Sequence, residues 1–256
     1  MNSLIVIPSR YESSRFPGKP LRKIAGVSLI ERVYRQCESS NADDIIVATD
    51  DQRIFNHVTD FGGNAVMTSV KLTNGTERVI EACEQIIDEN DEYDVIINVQ
   101  GDEPLIDPED INRIIDMFDQ EETDIATLIS RITTNEELFD HNVVKAVVTD
   151  FEDGIADALY FSRSPIPYQR DTPESEWLDK NAYFRHVGLY GFSAEALASI
   201  KWLKESDLEK AEKLEQLRWL QNHFVVSVSR TTNKPLGVDT PEDVVVVEKV
   251  LKSTTS

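Results

Sequence analysis

"SLIVIPSRYESSRFPGKP", residues 3–20, decides how this chain is read. Its first six residues form a short apolar run that reads as a buried β-strand, and a Pro- and Gly-containing cationic loop follows at once. Downstream, "SLIERVYRQC" (28–37) has helical spacing at Leu29, Ile30, Val33, Tyr34 and Cys37. The alternation then repeats. "DIIVATD" (44–50) reads as a strand, and "DQRIFNHVTDFGG" (51–63) as a helix stopped by Gly62 and Gly63. "NAVMT" (64–68) and "DVIINV" (94–99) read as strands around a helix over 76–88. "PEDINRIIDMF" (108–118) reads as a helix with Asp107 as cap, Pro108 at its first position and Asp110 three residues after the cap. Strands separated by helices imply right-handed crossovers and a largely parallel, doubly wound α/β sheet.

After "DIATLIS" (124–130) the pattern changes. "NVVKAVVTD" (142–150), "ALYFSRSPIPY" (158–168) and "AYFRHVGLYGF" (182–192) read as strands or extended pieces. The acidic stretch "QRDTPESEWLDKN" (169–181) reads as a mobile loop, and "DLEKAEKLEQLRWLQN" (207–222) as one long helix. The strand "FVVSVSR" (224–230) and a last helix from Pro241 complete the chain. The expectation is a single domain over 1–256 with a smaller strand-rich insertion at about 150–222.

Composition narrows the function classes. Asp plus Glu outnumber Lys plus Arg by 47 to 26, a net charge of −21, whereas a polyanion binder needs a broad basic surface. Nucleic acid is therefore not expected. No apolar run approaches the ~18–20 residues of a membrane span. "MNSLIVIPSR" lacks a basic leader and reads as a strand, not a signal. Cys37 and Cys83 sit in helical patterns and read as buried reduced thiols of a cytoplasmic protein.

Against that acidic background the loop at Pro8–Pro20 stands out. In open α/β sheets ligands bind beyond the carboxyl ends of the strands, which is where this loop begins. Arg10 and Arg15 can fork onto phosphate oxygens, and Lys19 can act as a point charge. The loop is not a P-loop, because the first Gly is missing and Pro20 stands where Ser or Thr would be. A solvated loop balancing acidic neighbours is the plain alternative. Asp102, in "NVQGDEP", and Asp239, in "GVDTPED", fall at strand or helix ends. Neither is needed as a cap, because Asp107 and the Thr240–Asp243 box already supply those. Two spare carboxylates facing a phosphate-binding loop suit Mg²⁺. Strand alternation puts His186, Gly188 and Tyr190 on one face, which suits a polyhydroxylated ligand or a satisfied core. Leu208, Ala211, Glu215 and Trp219 lie on one helical stripe, so Glu215 interrupts an apolar face.

Together "IPSRYESSRFPGKPL", "VATDD", "GGNAVMT", "NGTER", "NVQGDEPLI", "LYFSRSPIPY", "RHVGLYGF", "KLEQLRWL" and "GVDTPEDV" resemble the CMP-Kdo synthetases (3-deoxy-manno-octulosonate cytidylyltransferases), in order and over nearly the whole chain. Ser9 stands where the family usually has Ala, and Asn74 where it has Ser. The resemblance implies a nucleotidyltransferase fold like that of GT-A enzymes, a cytoplasmic homodimer, and a reaction that serves lipopolysaccharide synthesis. In it CTP and 3-deoxy-manno-octulosonate (Kdo) give CMP-Kdo and pyrophosphate. It also implies roles. Arg10, Ser13, Arg15 and Lys19 would hold the triphosphate, with Lys19 and Arg15 also catalytic. Asn74, Gly75, Arg78 and Gln100 would line the nucleotide, and Asp102 and Asp239 would hold catalytic Mg²⁺. Arg163, His186, Tyr190, Glu215 and Gln216 would bind the sugar acid. Rival readings are a cytidylyltransferase for another acid sugar, a sugar-1-phosphate nucleotidylyltransferase, and a sensor that binds CTP without turning it over.

Overall fold

The computed structural model describes residues 1–254 except 13–14, 73, 88–92 and 120–122. The expected end of the third helix at Asp88, like Ser13, lies outside the described residues. The chain forms two compact units, Met1–Ile115 with Pro235–Ser256, and Asp116–Lys234.

The first unit opens with β1 (Ser3–Ser9), the short strands β2 (Lys23–Ile24) and β3 (Val27–Ser28), and α1 (Leu29–Cys37). β4 (Asp44–Thr49), α2 (Gln52–Asp60), β5 (Ala65–Met67), α3 (Gly75–Ile86), β6 (Val95–Asn98) and α4 (Pro108–Met117) follow. Its main sheet runs β5-β4-β1-β6, every pair parallel. Leu4, Ile5, Val6 and Ile7 are all buried, as a central strand covered on both faces requires. Local chemistry sets the helix starts. The Ser28, Asp51 and Asn74 side chains accept the first free N–H groups of α1, α2 and α3. From β1 the chain winds outward through β4 to β5, then returns to place β6 on the other side of β1. The topological switch therefore lies between β1 and β6, where such sheets open a crevice.

The second unit contains β7 (Ile125–Arg131), α5 (Asn135–Phe139), β8 (Lys145–Val148), β9 (Ile155–Ser162), α6 (Trp177–Lys180) and β10 (Phe184–Ser193). It ends with α7 (Ala194–Ile200), α8 (Asp207–Glu212), α9 (Gln216–Gln221) and β11 (Val226–Thr231). Its strands run β10-β7-β11-β9-β8, antiparallel except for β7 with β11. The last helix, α10 (Pro241–Thr254), belongs to the first unit.

Two sequence expectations fail here. The stretch 169–181 is not a free loop. Trp177, only 2% exposed, packs with Ile132, Leu138 and Tyr183, stacks on the Tyr183 ring, and donates its indole N–H to the Thr172 carbonyl. An acidic composition concealed one large apolar anchor. The helix expected over 207–222 is instead α8 and α9, broken at Lys213, which is left-handed at φ 55°. The break has a visible cause, because Arg163 Nε takes the Glu212 carbonyl at 2.7 Å and the Glu212 carboxylate accepts from Ser162 and the Arg163 amide. These contacts hold both the main chain and the side chain of Glu212 at the point where α8 ends.

Candidate active site

The carboxyl ends of β1 and β6 open onto a cavity of about 320 Å³, within the ~300–1,000 Å³ of small-molecule sites. Its lining includes Arg10, Arg15 and Lys19 from the loop after β1, Asn74, Gly75 and Arg78 from the start of α3, and Gln100 and Asp102 after β6. Asp239, just before α10, completes it. Of the residues expected at a nucleotide and metal site, all but Ser13, which lies outside the described residues, therefore share one cavity wall.

Backbone geometry makes this convergence possible. A Cβ on Gly101 would stand 2.8 Å from the Pro8 carbonyl oxygen, so only glycine lets the two strand ends approach this closely. Asn74 accepts the Glu77 amide at 2.8 Å and so starts α3 at the cavity, where Asn74, Gly75 and Arg78 line the wall. Asp243 accepts the amides of Asp239 and Thr240 and the Thr240 hydroxyl. This is the carboxylate half of the expected capping box, and these bonds hold the Asp243 carboxyl below its ordinary range. The Asp239 side chain stays free of the capping role.

The charged groups neutralise one another. Lys19 Nζ lies 2.7 Å from Asp102 and 3.3 Å from Asp239, and Arg15 pairs with Asp239 at 3.1 Å. The Arg15–Asp239 pair is 65% and 52% exposed, and exposed pairs contribute only ~0.2–1 kcal/mol. A polyphosphate can therefore displace such a carboxylate from its cation. Arg10 has no ion-pair or hydrogen-bond partner among the described residues. Arg78 differs: at 3% exposure it donates to Asp50 at 2.8 Å and to the Thr68 hydroxyl, and so braces the wall it lines. Asp50 and Gly101 were not singled out in the sequence, although both lie inside quoted motifs. Leu72, another lining residue, carried no signal at all.

Among the described residues no group of three or more His, Cys, Asp or Glu is arranged to hold a metal. The fit of a divalent cation rests instead on Asp102 and Asp239. The Lys19 ammonium stands where their carboxylates converge, and it marks a cation position. A two-carboxylate site completed by substrate phosphates is characteristic of Mg²⁺.

The residues expected to bind a sugar acid all lie in the second unit. His186 and Tyr190, on β10, have ring centroids 5.2 Å apart. The pairing of β10 with β7 shifts register between Val187 and Tyr190, which breaks simple alternation along the strand. Thr127 fills the irregularity: its hydroxyl lies 2.8 Å from the Leu189 carbonyl and 3.1 Å from both the Val187 carbonyl and His186 Nε2. With its one proton given to a carbonyl, Thr127 accepts from His186 Nε2–H, which assigns the imidazole tautomer. Burial first, and the Arg185 charge second, push that imidazole down to about 3. Burial, with the Glu215 charge adding, pushes the Tyr190 phenol well above its ordinary value, and its hydroxyl has no partner among the described residues.

Glu215 is paired with Arg218 in the next turn. That pair accounts for a carboxylate on an otherwise apolar stripe. Gln216 is buried at the start of α9. The Arg163 guanidinium donates to the carbonyls of Glu212 and His141, which orient it without neutralising its charge. His186, Tyr190 and Glu215 are thus neighbours, while Arg163 is held at the end of α8.

A family model described as cytidylyltransferase matches residues 4–229. A 3-deoxy-manno-octulosonate cytidylyltransferase from Bacteroides thetaiotaomicron is 43% identical over 256 residues, covering 99% of each chain. One from Fusobacterium nucleatum is 44% identical over 253 residues, covering 98% of each. The solved structure of a CMP:2-keto-3-deoxy-manno-octonic acid synthetase complexed with CTP superposes with a TM-score of 0.90 at 38% identity, over 99% of this chain and all of that one. A 4-diphosphocytidyl-2C-methyl-D-erythritol synthase from Anaerococcus prevotii, 13% identical with a TM-score of 0.62 over 98% of this chain and 96% of that one, shares the fold.

Proposed function

The chain belongs to the cytidylyltransferase family, and on that premise we propose that it activates Kdo, converting CTP and the sugar acid to CMP-Kdo and pyrophosphate. The observation that carries this reading is the meeting of three loop cations with two spare carboxylates at the β1–β6 switch point. Arg10, Arg15 and Lys19 hold the triphosphate, with Ser13 in the same loop. Asn74, Gly75, Arg78 and Gln100 line the nucleotide. Arg163 pairs with the sugar carboxylate, and His186, Tyr190, Glu215 and Gln216 hold its hydroxyls. The strand-rich insertion at about 150–222, which carries these five residues, serves sugar binding and dimerisation within one nucleotidyltransferase.

The sugar 2-hydroxyl oxygen forms a bond to the α-phosphorus and gives up its proton to solvent water. The bond from that phosphorus to the bridging oxygen breaks, and pyrophosphate leaves with the electron pair. Such transfers ask the protein mainly for positioning and charge stabilisation. Asp102 and Asp239 would hold Mg²⁺, which when bound would lower the pKa of the attacking hydroxyl and offset phosphate charge. Lys19 and Arg15 stabilise the charge that develops on the leaving group. His186, kept neutral, offers Nδ1 as a hydrogen-bond acceptor and takes no part in proton transfer.

No helix among the described residues is long and apolar enough to cross a membrane. A cytoplasmic homodimer completes the proposal. The buried free thiols of Cys37 and Cys83 support the compartment, and the exposed Leu159 and Tyr168 in the second unit offer apolar surface to another copy.

The test is pyrophosphate release with CTP and Mg²⁺, with and without Kdo, alongside UTP and sialic acid. Release that requires CTP, Kdo and metal together is expected. Release with sialic acid but not Kdo would reassign the sugar, and CTP binding without release would make the protein a sensor.

A further inference from the structure

Arg10, Arg15 and Lys19 gather like charge within ten residues, and something must hold them in place before a nucleotide arrives. On its far side Phe16 packs against the cluster of Ile24, Leu29, Val238, Val244 and Val247, and Pro20 is buried. On its near side a chain of contacts runs through residues outside the cavity lining. Asp51 caps α2 and takes a fork from Arg53, with Nε at 2.9 Å and the terminal nitrogen at 2.6 Å. The Arg53 guanidinium lies 3.3 Å from the centroid of the Tyr11 ring, well inside the ~6 Å reach of a cation–π contact. The phenol end of Tyr11 abuts Gly18, where a Cβ would meet the hydroxyl oxygen at 2.9 Å. The Tyr11 carbonyl accepts the Gly18 amide at 2.9 Å and closes the loop on itself. Gly18, left-handed at φ 69°, then starts the short turn that carries Lys19.

We propose that Asp51, Arg53 and Tyr11 form a strut that fixes the cationic loop, so that Tyr11 and Arg53 are positioning residues for Arg10, Arg15 and Lys19. The strut ties the cap of α2 to the pivot beside Lys19 without touching the ligand. It deepens the proposed reading of this cavity as a polyphosphate site, and rests on it. Because Tyr11 and Arg53 belong to one chain of contacts, their effects should not add.

The test measures binding of inorganic tripolyphosphate by calorimetry to the full chain and its variants, with thermal unfolding of each recorded alongside. Tyr11→Ala should weaken tripolyphosphate about tenfold, and Arg53→Ala about threefold. The double variant should be no weaker than Tyr11→Ala alone, and Tyr11→Phe should stay within about twofold of the parent. In steady-state assays the same variants should raise KM for CTP and leave KM for Kdo unchanged, a split that a general loss of stability does not produce. Tripolyphosphate affinity within about twofold of the parent in Tyr11→Ala, or strictly additive losses in the double variant, would overturn the strut. The tripolyphosphate measurements judge it whether or not Kdo proves to be the acceptor.

Discussion

In the first unit Arg15 and Asp239 are largely exposed, Asp102 and Lys19 less so, and the four neutralise one another. In the second, His186 and Tyr190 sit among rings: His186 is 5.2 Å from Phe161, and Tyr190 is 5.0 Å from Trp219. The solvated charges make exchangeable ion pairs, which suits groups that must let go of each other when a polyanion binds. The enclosed groups have their protonation states fixed by burial, which suits hydrogen bonds of constant polarity to a neutral hydroxyl. Lysine repeats the contrast. Lys19 is partly exposed and meets two carboxylates, whereas fully buried Lys145 donates, among the described residues, to the carbonyls of Asp140 and Val143. Burial above all pushes the Lys145 ammonium below its ordinary value.

The sharpest way to break this comparison is to remove one solvated carboxylate. Asp102→Asn and Asp239→Asn should each lower turnover about a thousandfold or more, while CTP binding survives through the loop cations. Parallel assays of pyrophosphate release and CTP binding check this, and Mg²⁺-dependent turnover near the parent's in either variant would remove the metal role. Gly101→Ala should come next. Its Cβ meets backbone at Pro8, so urea unfolding should show a loss of ~1–3 kcal/mol together with weaker CTP binding. Lys145→Met should cost about 2 kcal/mol in the same unfolding experiment, because two carbonyls lose their donor, and it should leave CTP affinity unchanged.

The smallest effect concerns pH. His186 is held near 3 when folded and titrates at about 6.5 when unfolded, so only the unfolded chain takes up this proton between those values. The stability it contributes is present above about pH 6.5 and is lost as pH falls toward 3. From pH 7 to 5.5 the loss should be about 1 kcal/mol. Urea midpoints at the two pH values should diverge in the parent, and the divergence should shrink in His186→Asn. An unchanged divergence would assign the pH dependence elsewhere.

Legibility in the sequence divided along the same line. The first unit was readable because its strands are continuous apolar runs, its helices carry side-chain caps, and its ligand groups sit at strand ends that the α/β pattern identifies in advance. Arg10, Lys19, Asp102 and Asp239 are therefore assigned to one place by the sequence alone. Across residues 116–234 local pattern was a poorer guide. The free-loop reading of 169–181 missed Trp177, whose burial depends on Ile132, Leu138 and Tyr183 far along the chain. The single-helix reading of 207–222 missed the capture of Glu212 by Arg163, 49 positions away.

By itself, then, the sequence determined the parallel wound sheet, the edge at which the cavity opens, and the charge types gathered there. All of these follow from periodicity, caps and strand ends, which are local. Only the tertiary structure decided that Lys19 lies between the two carboxylates, that Arg78 is tied to Asp50, that His186 stays neutral, and that Arg53 rests on Tyr11. Each of those depends on side chains distant in sequence being brought within a few ångströms, where burial and Coulomb interactions grow large enough to choose among alternatives that a linear pattern leaves equal.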